Sequence, residues 1–427
     1  MPTPFGTPMR NHFPFPSSST NINNGSFGSY PTCIHEALAK YHHQTNAEPD
    51  IFIRYKLPTL IDRSRDAVAA LINARSVDDL VLVPNVTTGV NTILWNLRFA
   101  KGDKIVYLGT TYGACEKIID FVTESSSSES SGDVEAVRVD IQYPISKTAI
   151  LQNFENAISQ PGVRIALFDT ISSLPAFRLP CEEMVALCKQ YNVLSLVDGA
   201  HGIGCIPLDM QQLDADFFVS NLHKWLFTPR SCAALHIPAR NQHLIRSSLP
   251  TSHGYVPMDK PGKPKIYNPL PPTDKPAFAQ LFEFVGTMDY APYLCVPDAL
   301  QYRKQVCGGE DAIMQYCINL AQQGGERVAE ILGTEVIGEK WQRECPMAMV
   351  RLSVDVSGKS EKQSKAMGAW IEKEGADNHG FFAPVILHNG YLLVRLSAQV
   401  YLTLQDFEKV GRALVTLCER AQLIADI

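Results

Sequence analysis

Two short stretches carry side chains whose types and order suit one chemistry. They are Leu196-Val197-Asp198-Gly199-Ala200-His201-Gly202 and Phe218-Val219-Ser220-Asn221-Leu222-His223-Lys224-Trp225. Each opens on an apolar run that predicts a buried strand, so Asp198 and Lys224 stand at or just beyond strand ends. In open α/β sheets, ligands bind outside the carboxyl ends of the strands. A lysine amine placed there can form a Schiff base with an aldehyde. A carboxylate there can hold a pyridine nitrogen protonated, which makes the ring an electron sink for a carbanion. An isolated Asp-Gly is ordinarily a turn, and an isolated His-Lys a solvated surface pair. Their order, spacing and placement together point to a pyridine cofactor bound through Lys224.

The elements that must position these residues follow from the apolar pattern. Residues 1 to 35 predict an irregular arm, with turn chemistry at Asn23-Asn24-Gly25-Ser26 and Gly28. A helix is expected from Leu57 to Ala74 and a buried strand at Leu80-Val81-Leu82-Val83. Helices at Val86–Leu97 and Cys115–Thr123 flank a strand at Lys104–Leu108. Further strands are expected at Arg164–Phe168, Val193–Val197, Phe217–Val219 and Ala233–Ile237. Strands apolar on both faces and alternating with helices predict an α/β fold, with a mostly parallel sheet covered on both sides. The Ser- and Glu-rich stretch Glu124 to Gly132 predicts a surface loop. Seven prolines between residues 256 and 276 exclude helix and central strand there and predict an extended excursion. Beyond Leu300 come long helices at Ala312–Leu332, Ser360–Glu374 and Leu404–Ala425, with strands at Met347–Val354 and Tyr391–Ser397. The expected division is an arm (1–35), a large cofactor-binding domain (36–299) and a smaller α+β domain (300–427).

Composition narrows the class. The 427 residues are 45% hydrophobic and 19% charged, which suits a soluble globular protein of two domains. A net charge of −6 offers no basic field for nucleic acid or a membrane surface. No apolar run is long enough to span a bilayer. The 11 cysteines are scattered, with no CxxC pair and no Cys/His cluster at zinc spacing, so no metal is expected. Free thiols, and no apolar leader in the Pro- and Ser-rich start, suit a reducing cytoplasm.

The Asp198-Gly199-Ala200-His201 and His223-Lys224-Trp225 segments resemble the class V aminotransferase family, and the resemblance runs from about Phe5 to Leu423. It implies the aspartate-aminotransferase-like fold type I: a mostly parallel seven-stranded sheet between helices, plus a small α+β C-terminal domain. It also implies pyridoxal 5′-phosphate as cofactor and an amino acid as substrate. By the same resemblance, Asn85-Val86-Thr87-Thr88-Gly89-Val90 is the phosphate-binding turn, where a helix start offers N–H groups and its positive dipole end. Ser220, Asn221 and His223 are expected near that phosphate. Tyr112, in Thr110-Thr111-Tyr112-Gly113-Ala114, is the residue expected to stack on the ring and to serve as an acid. His201 would donate to the cofactor's phenolic oxygen. Gly286-Thr287 would reach the phosphate of a neighbouring subunit, which implies a homodimer with shared sites. Arg395, in Val394-Arg395-Leu396-Ser397, would clamp the substrate α-carboxylate bidentately.

Two departures bear on the reaction. Cysteine desulfurases of this family carry a nucleophilic Cys just before the arginine strand, whereas residues 376 to 390 here hold none. A subgroup of lyases and epimerases has Asn-His-Gly-Ser near the N-terminus, where this chain has Asn23-Asn24-Gly25-Ser26; Asn24 and Ser26 are the substrate-binding candidates there. Among subgroups the chain most resembles fungal hercynylcysteine sulfoxide lyases. The supporting stretches are Pro49-Asp50-Ile51-Phe52-Ile53-Arg54, Thr111-Tyr112-Gly113-Ala114-Cys115, Arg240-Asn241-Gln242-His243-Leu244-Ile245-Arg246 and Leu249-Pro250-Thr251-Ser252-His253-Gly254. Fungal alkaloid-pathway cyclases of Mannich type share much of this pattern. β-Elimination from a cysteine derivative is the expected reaction, with cyclisation, epimerisation and transamination left open.

Overall fold

In the computed structural model, which describes residues 2–126, 133–258, 261–262, 264 and 266–423, seven strands form one sheet. They are β1 (Leu80–Val83), β2 (Lys104–Leu108), β3 (Glu135–Val139), β4 (Val163–Asp169), β5 (Leu194–Asp198), β6 (Phe217–Asn221) and β7 (Ala233–His236), in the order β1-β7-β6-β5-β4-β2-β3. β7 pairs antiparallel with both neighbours, and the remaining pairs are parallel. A second, antiparallel sheet joins β8 (Met347–Arg351), β10 (Tyr391–Ser397) and β9 (Val385–His388) in that order.

Helices cover both faces of the large sheet. After a helical turn at Thr7–Arg10, the chain runs through a single turn, α1 (Asn24–Phe27), and a polar helix, α2 (Thr32–Ala47). Next, α3 (Leu57–Leu71) lays Leu57, Ile61 and Val68 on the face that carries Leu80, Val106, Phe168 and Phe218. The opposite face, with Val81, Ile105, Leu196 and Val219, is covered by α4 (Val86–Asn96) and α5 (Gly113–Ser126). Then α6 (Lys147–Ile158) and α7 (Cys181–Gln190) return to the first face through Phe154 and Met184. The alternation of strand residues between two apolar layers explains why these strands are apolar on both sides. The turn α8 (Leu222–Trp225) follows β6 directly. After α9 (Val296–Gln305), the helices α10 (Glu310–Leu332), α11 (Glu361–Asn378) and α12 (Leu404–Leu423) pack a separate core with the three-stranded sheet.

The expected elements are present with shifted ends, and two strands appear that the apolar pattern does not predict. Both are edge strands: β3 exposes Glu135 and Arg138 on a largely solvated surface, and β9 is half-buried throughout. An edge strand needs only part of one face apolar, so its composition carries little signal. The Ser-rich stretch is partly helical, since α5 continues to Ser126; the rest of that predicted loop, 127–132, lies outside the described residues. So do residues 259, 260, 263 and 265 of the Pro-rich excursion and the last four residues of the chain.

The N-terminal arm is not loose. Met9, Phe13 and Ile22 are buried in the core built by α10, α12 and β10. Gly28 follows α1 with φ +68°, and a Cβ there would lie 1.8 Å from the carbonyl oxygen of His223, beside Lys224. Only glycine allows the arm to come this close in this conformation. Gly28→Ala should therefore destabilise the protein by at least about 1 kcal/mol and expose the arm to proteolysis near residue 28. A urea midpoint and cleavage pattern like those of the wild type would show that the arm is not locked there.

Candidate functional site

The carboxyl ends of β2, β4, β5 and β6 converge, together with the turn after β1 and the inner face of β10. β5 ends at Asp198, which is buried, with Oδ1 accepting the Ala200 N–H at 2.8 Å and Oδ2 facing the Cys115 thiol at 3.7 Å. A thiol is a weak donor, so this carboxylate is short of partners. Burial pushes its pKa up, opposed by the Ala200 N–H and by Lys224. Asp169, at the end of β4, is its register partner; it too is buried, and its Oδ2 has no hydrogen-bond partner among the described residues. Burial and the Asp198 charge push Asp169 well above the usual carboxylate range. Of the two, Asp198 has the more donors with which to carry a charge.

β6 ends at Asn221 and runs straight into α8, which carries Lys224 into the cleft. Desolvation is the main influence on the Lys224 amine, with the Arg395 charge acting in the same direction and Asp198 and Asp169 opposing; its pKa falls to about 8. Nζ lies 3.2 Å from His201 Nε2. Burial and the Lys224 and Arg395 charges hold His201 well below the usual imidazole value, so the ring is neutral.

Arg395 is 1% exposed on β10. Its Nη1 donates to the Ser173 carbonyl at 2.8 Å, and its Nη2 donates to Asn23 Oδ1 at 2.8 Å and Ser26 Oγ at 2.6 Å. Nε has no partner, and no carboxylate pairs with this guanidinium among the described residues. Burial without an anion lowers its pKa to about 10. A buried guanidinium held by neutral groups favours an arriving carboxylate. Ser26 thus reaches the site by orienting Arg395. Asn24 is buried, and its amide donates to the Lys224 carbonyl at 2.8 Å and accepts from Tyr401 Oη at 3.3 Å, so it braces the lysine turn.

Around the expected phosphate site, Asn85 caps α4 by accepting the Thr88 N–H at 2.8 Å, and Asn221 Oδ1 accepts the Val86 N–H at 3.0 Å. Thr87 sits between these engaged groups, half-buried. Ser220 Oγ accepts the Ile203 N–H at 3.0 Å and so holds the loop after His201. His223 Nδ1 donates to the Cys232 carbonyl at 3.0 Å, and burial lowers its pKa to about 4. Its free Nε2 edge can donate to an anion only after taking up a proton. Tyr112 precedes α5, whose Cys115 touches Asp198, and is 51% exposed. Gly286 and Thr287 are exposed; Thr287 lines a separate recess of about 170 Å³ with His42 and Phe52.

Sequence reasoning did not single out Asn23, Asp169, Ser173 or Arg303. Asn23 and Ser173 lie in loops, and their roles depend on what the fold brings to Arg395. Asp169 ends a strand beside Asp198, a position readable only once the strand order is known. Arg303 is 0% exposed, donates to the Trp225 carbonyl at 2.8 Å and the Gly204 carbonyl at 3.3 Å, and pairs with Glu310.

This is the fold of pyridoxal-phosphate enzymes of fold type I. The chain matches the cystine C–S lyase C-DES with a TM-score of 0.73 at 19% identity over 96% of this chain and 99% of that one, in a structure with glycine covalently linked to the cofactor. The chain belongs to the class-V aminotransferase family, whose profile matches residues 27–262. It is 36% identical to the L-cysteine desulfhydrase-like protein lolT1 of Epichloe uncinata, over 97% of this chain and 96% of that one. It is 29% identical to the hercynylcysteine sulfoxide lyase of Schizosaccharomyces pombe, over 97% and 98%. Pyridoxal 5′-phosphate is the cofactor, and the buried, under-partnered Asp198 carboxylate beside the lowered Lys224 amine fits it.

The lowered amine has a direct consequence. Only the free base attacks an aldehyde, so the fraction of reactive Lys224 rises with pH through about 8, whereas ordinary lysines need far more alkaline solution. Apoprotein incubated with pyridoxal and trapped with borohydride should be labelled at Lys224, with a rate midpoint near that pH. Mass mapping of the adduct to another lysine, or a midpoint near that of an exposed lysine, would contradict the assignment.

Proposed function

We propose that the protein is a carbon–sulfur lyase that eliminates the sulfur substituent of a cysteine or cysteine-sulfoxide derivative directly, without a protein persulfide. The carrying observation is the grouping of Lys224, Asp198 and Arg395 with neighbouring thiols that are all buried, Cys115 against Asp198 and Cys205 near Lys224 among them. Cys345, the cysteine nearest in sequence before β10, is 0% exposed, and burial pushes its thiol up to about 11. A thiol so held is neither ionised nor accessible. The names of the relatives, a cysteine desulfhydrase-like protein and a hercynylcysteine sulfoxide lyase, support the same reading.

Bound pyridoxal 5′-phosphate supplies the aldehyde for covalent attachment and a ring that accepts the electron pair released at Cα. Asp198 would hold the proton on the ring nitrogen. Thr87 and Thr88 at the start of α4, with Ser220, Asn221 and His223, make up the phosphate end. Arg395 receives the α-carboxylate, oriented by Asn23, Ser26 and the Ser173 carbonyl. Lys224, its pKa lowered to about 8 so that part of it is free base at physiological pH, would take the Cα proton. Tyr112, half-exposed just before α5, would stack on the ring and give a proton to the departing sulfur. The large domain (36–299) carries the cofactor residues, and the smaller domain (300–427) carries Arg395. The eleven free cysteines suit a cytoplasmic setting.

Incubation of the holoenzyme with cysteine and cysteine-sulfoxide derivatives should release pyruvate and ammonia. Tyr112→Phe should bind substrate normally yet turn over roughly 10²- to 10⁴-fold more slowly. A bound cofactor with no keto acid from any such compound, and a ring-closed amino acid from a substrate with an amine arm, would establish a cyclase instead.

The exposed Gly286-Thr287 turn, with Thr287 lining a recess shared with His42 and Phe52, suits a homodimer in which it completes the partner's phosphate site. Mixing Lys224→Ala with Thr287→Ala chains should restore part of the activity through hybrid dimers. A fully active monomer in sedimentation and dilution assays would overturn this assembly.

A further inference from the structure

The indole Nε1–H of Trp225 stands 3.1 Å from His201 Nδ1, and across the ring His201 Nε2 stands 3.2 Å from Lys224 Nζ. An indole nitrogen can only donate. Nδ1 must then be the bare nitrogen, and the neutral ring carries its proton on Nε2. His201 is 1% exposed and Trp225 2%, so water does not compete for either contact. Trp225 is itself held, because Arg303 grips its carbonyl and Glu310 grips Arg303. We propose that Trp225 is a positioning residue that locks His201 in the Nε2–H tautomer and makes the imidazole a one-way hydrogen-bond donor toward Lys224 Nζ.

A one-way donor tolerates only an acceptor in front of it. The lone pair of the free amine satisfies it, whereas an ammonium would set two donors head to head. The lock therefore favours the free-base form of Lys224, alongside burial and the Arg395 charge. Asp198 and Asp169 favour the ammonium, and the buried Cys205 and Cys115 thiols and the neutral His223 also face the amine. With the indole donor removed, the imidazole can move its proton to Nδ1 and accept from the ammonium through Nε2, which stabilises the charged lysine. The catalytic meaning of the lock rests on Lys224 being the cofactor lysine, but the tautomer is a property of the protein alone.

The test starts with ¹⁵N imidazole spectra of apoprotein, with the His201 signals assigned by their loss in His201→Gln. Wild type should show a protonated Nε2 and a bare Nδ1. Trp225→Phe should populate the other tautomer and raise the pH midpoint of pyridoxal trapping at Lys224 by about one unit, a tenfold slower reaction on the acid side. Replacing the indole with the isosteric benzothiophene ring, which fills the same space without the donor, should do the same and guards against a packing defect in the Phe variant. In a His201→Gln background, Trp225→Phe should leave the midpoint unmoved. A protonated Nδ1 in wild type would overturn the proposal, as would an unchanged tautomer in both Trp225 variants or an equal midpoint shift without His201. Absence of any label on Lys224 would count against the cofactor lysine, while the nitrogen spectra would still decide the tautomer.

Discussion

The structure turns on lowering the pKa of one buried lysine amine. An ammonium among carboxylates is the easy state, and it is inert both as a nucleophile and as a base. Burial and the Arg395 charge pull the Lys224 amine down, while Asp198 and Asp169 pull it up. The balance, about 8, leaves part of the population reactive at physiological pH without removing the positive charge the carboxylates need.

The two carboxylates divide their roles by partner count. They are register neighbours at the ends of adjacent parallel strands, so both cannot ionise cheaply. Asp198 has a backbone N–H and a thiol to stabilise its charge, whereas one oxygen of Asp169 faces no donor among the described residues. Asp198 is therefore the better provided of the two to carry a negative charge. Arg395 complements this from the second sheet as a cation whose partners are a carbonyl, an amide oxygen and a hydroxyl. In the proposed site, a cofactor ring and an anionic substrate group would meet groups already dehydrated and oriented.

The lysine turn is gripped from three directions, and each grip comes from a part of the chain remote in sequence. Asn24 holds the Lys224 carbonyl, Gly28 lies against His223, and Arg303 holds the Trp225 carbonyl. Arg303 also lies 5.0 Å from the ring of Phe227, which holds a left-handed backbone conformation at φ +68°. A strained residue of that kind persists when its surroundings over-determine it. Because the arm is buried in the core of the C-terminal helices, the grip of residues 24–28 on the lysine turn is coupled to the packing of the element that carries Arg395.

The amino-acid sequence alone determined the fold class, the strands carrying Asp198 and Lys224, and the cofactor, because those signals are local. Apolar runs specify buried strands, and an Asp and a Lys just past them specify one chemistry. Edge strands such as β3 and β9 escaped because half of each faces solvent. Tertiary structure decided how the pieces act on one another. It gave Ser26 and Asn23 to Arg395, turned Asn24 into a brace, paired Asp169 with Asp198, and set Trp225 against His201. Each of these is a contact between segments far apart in the chain or across a strand order, and hydrogen-bond direction and desolvation are properties of such contacts.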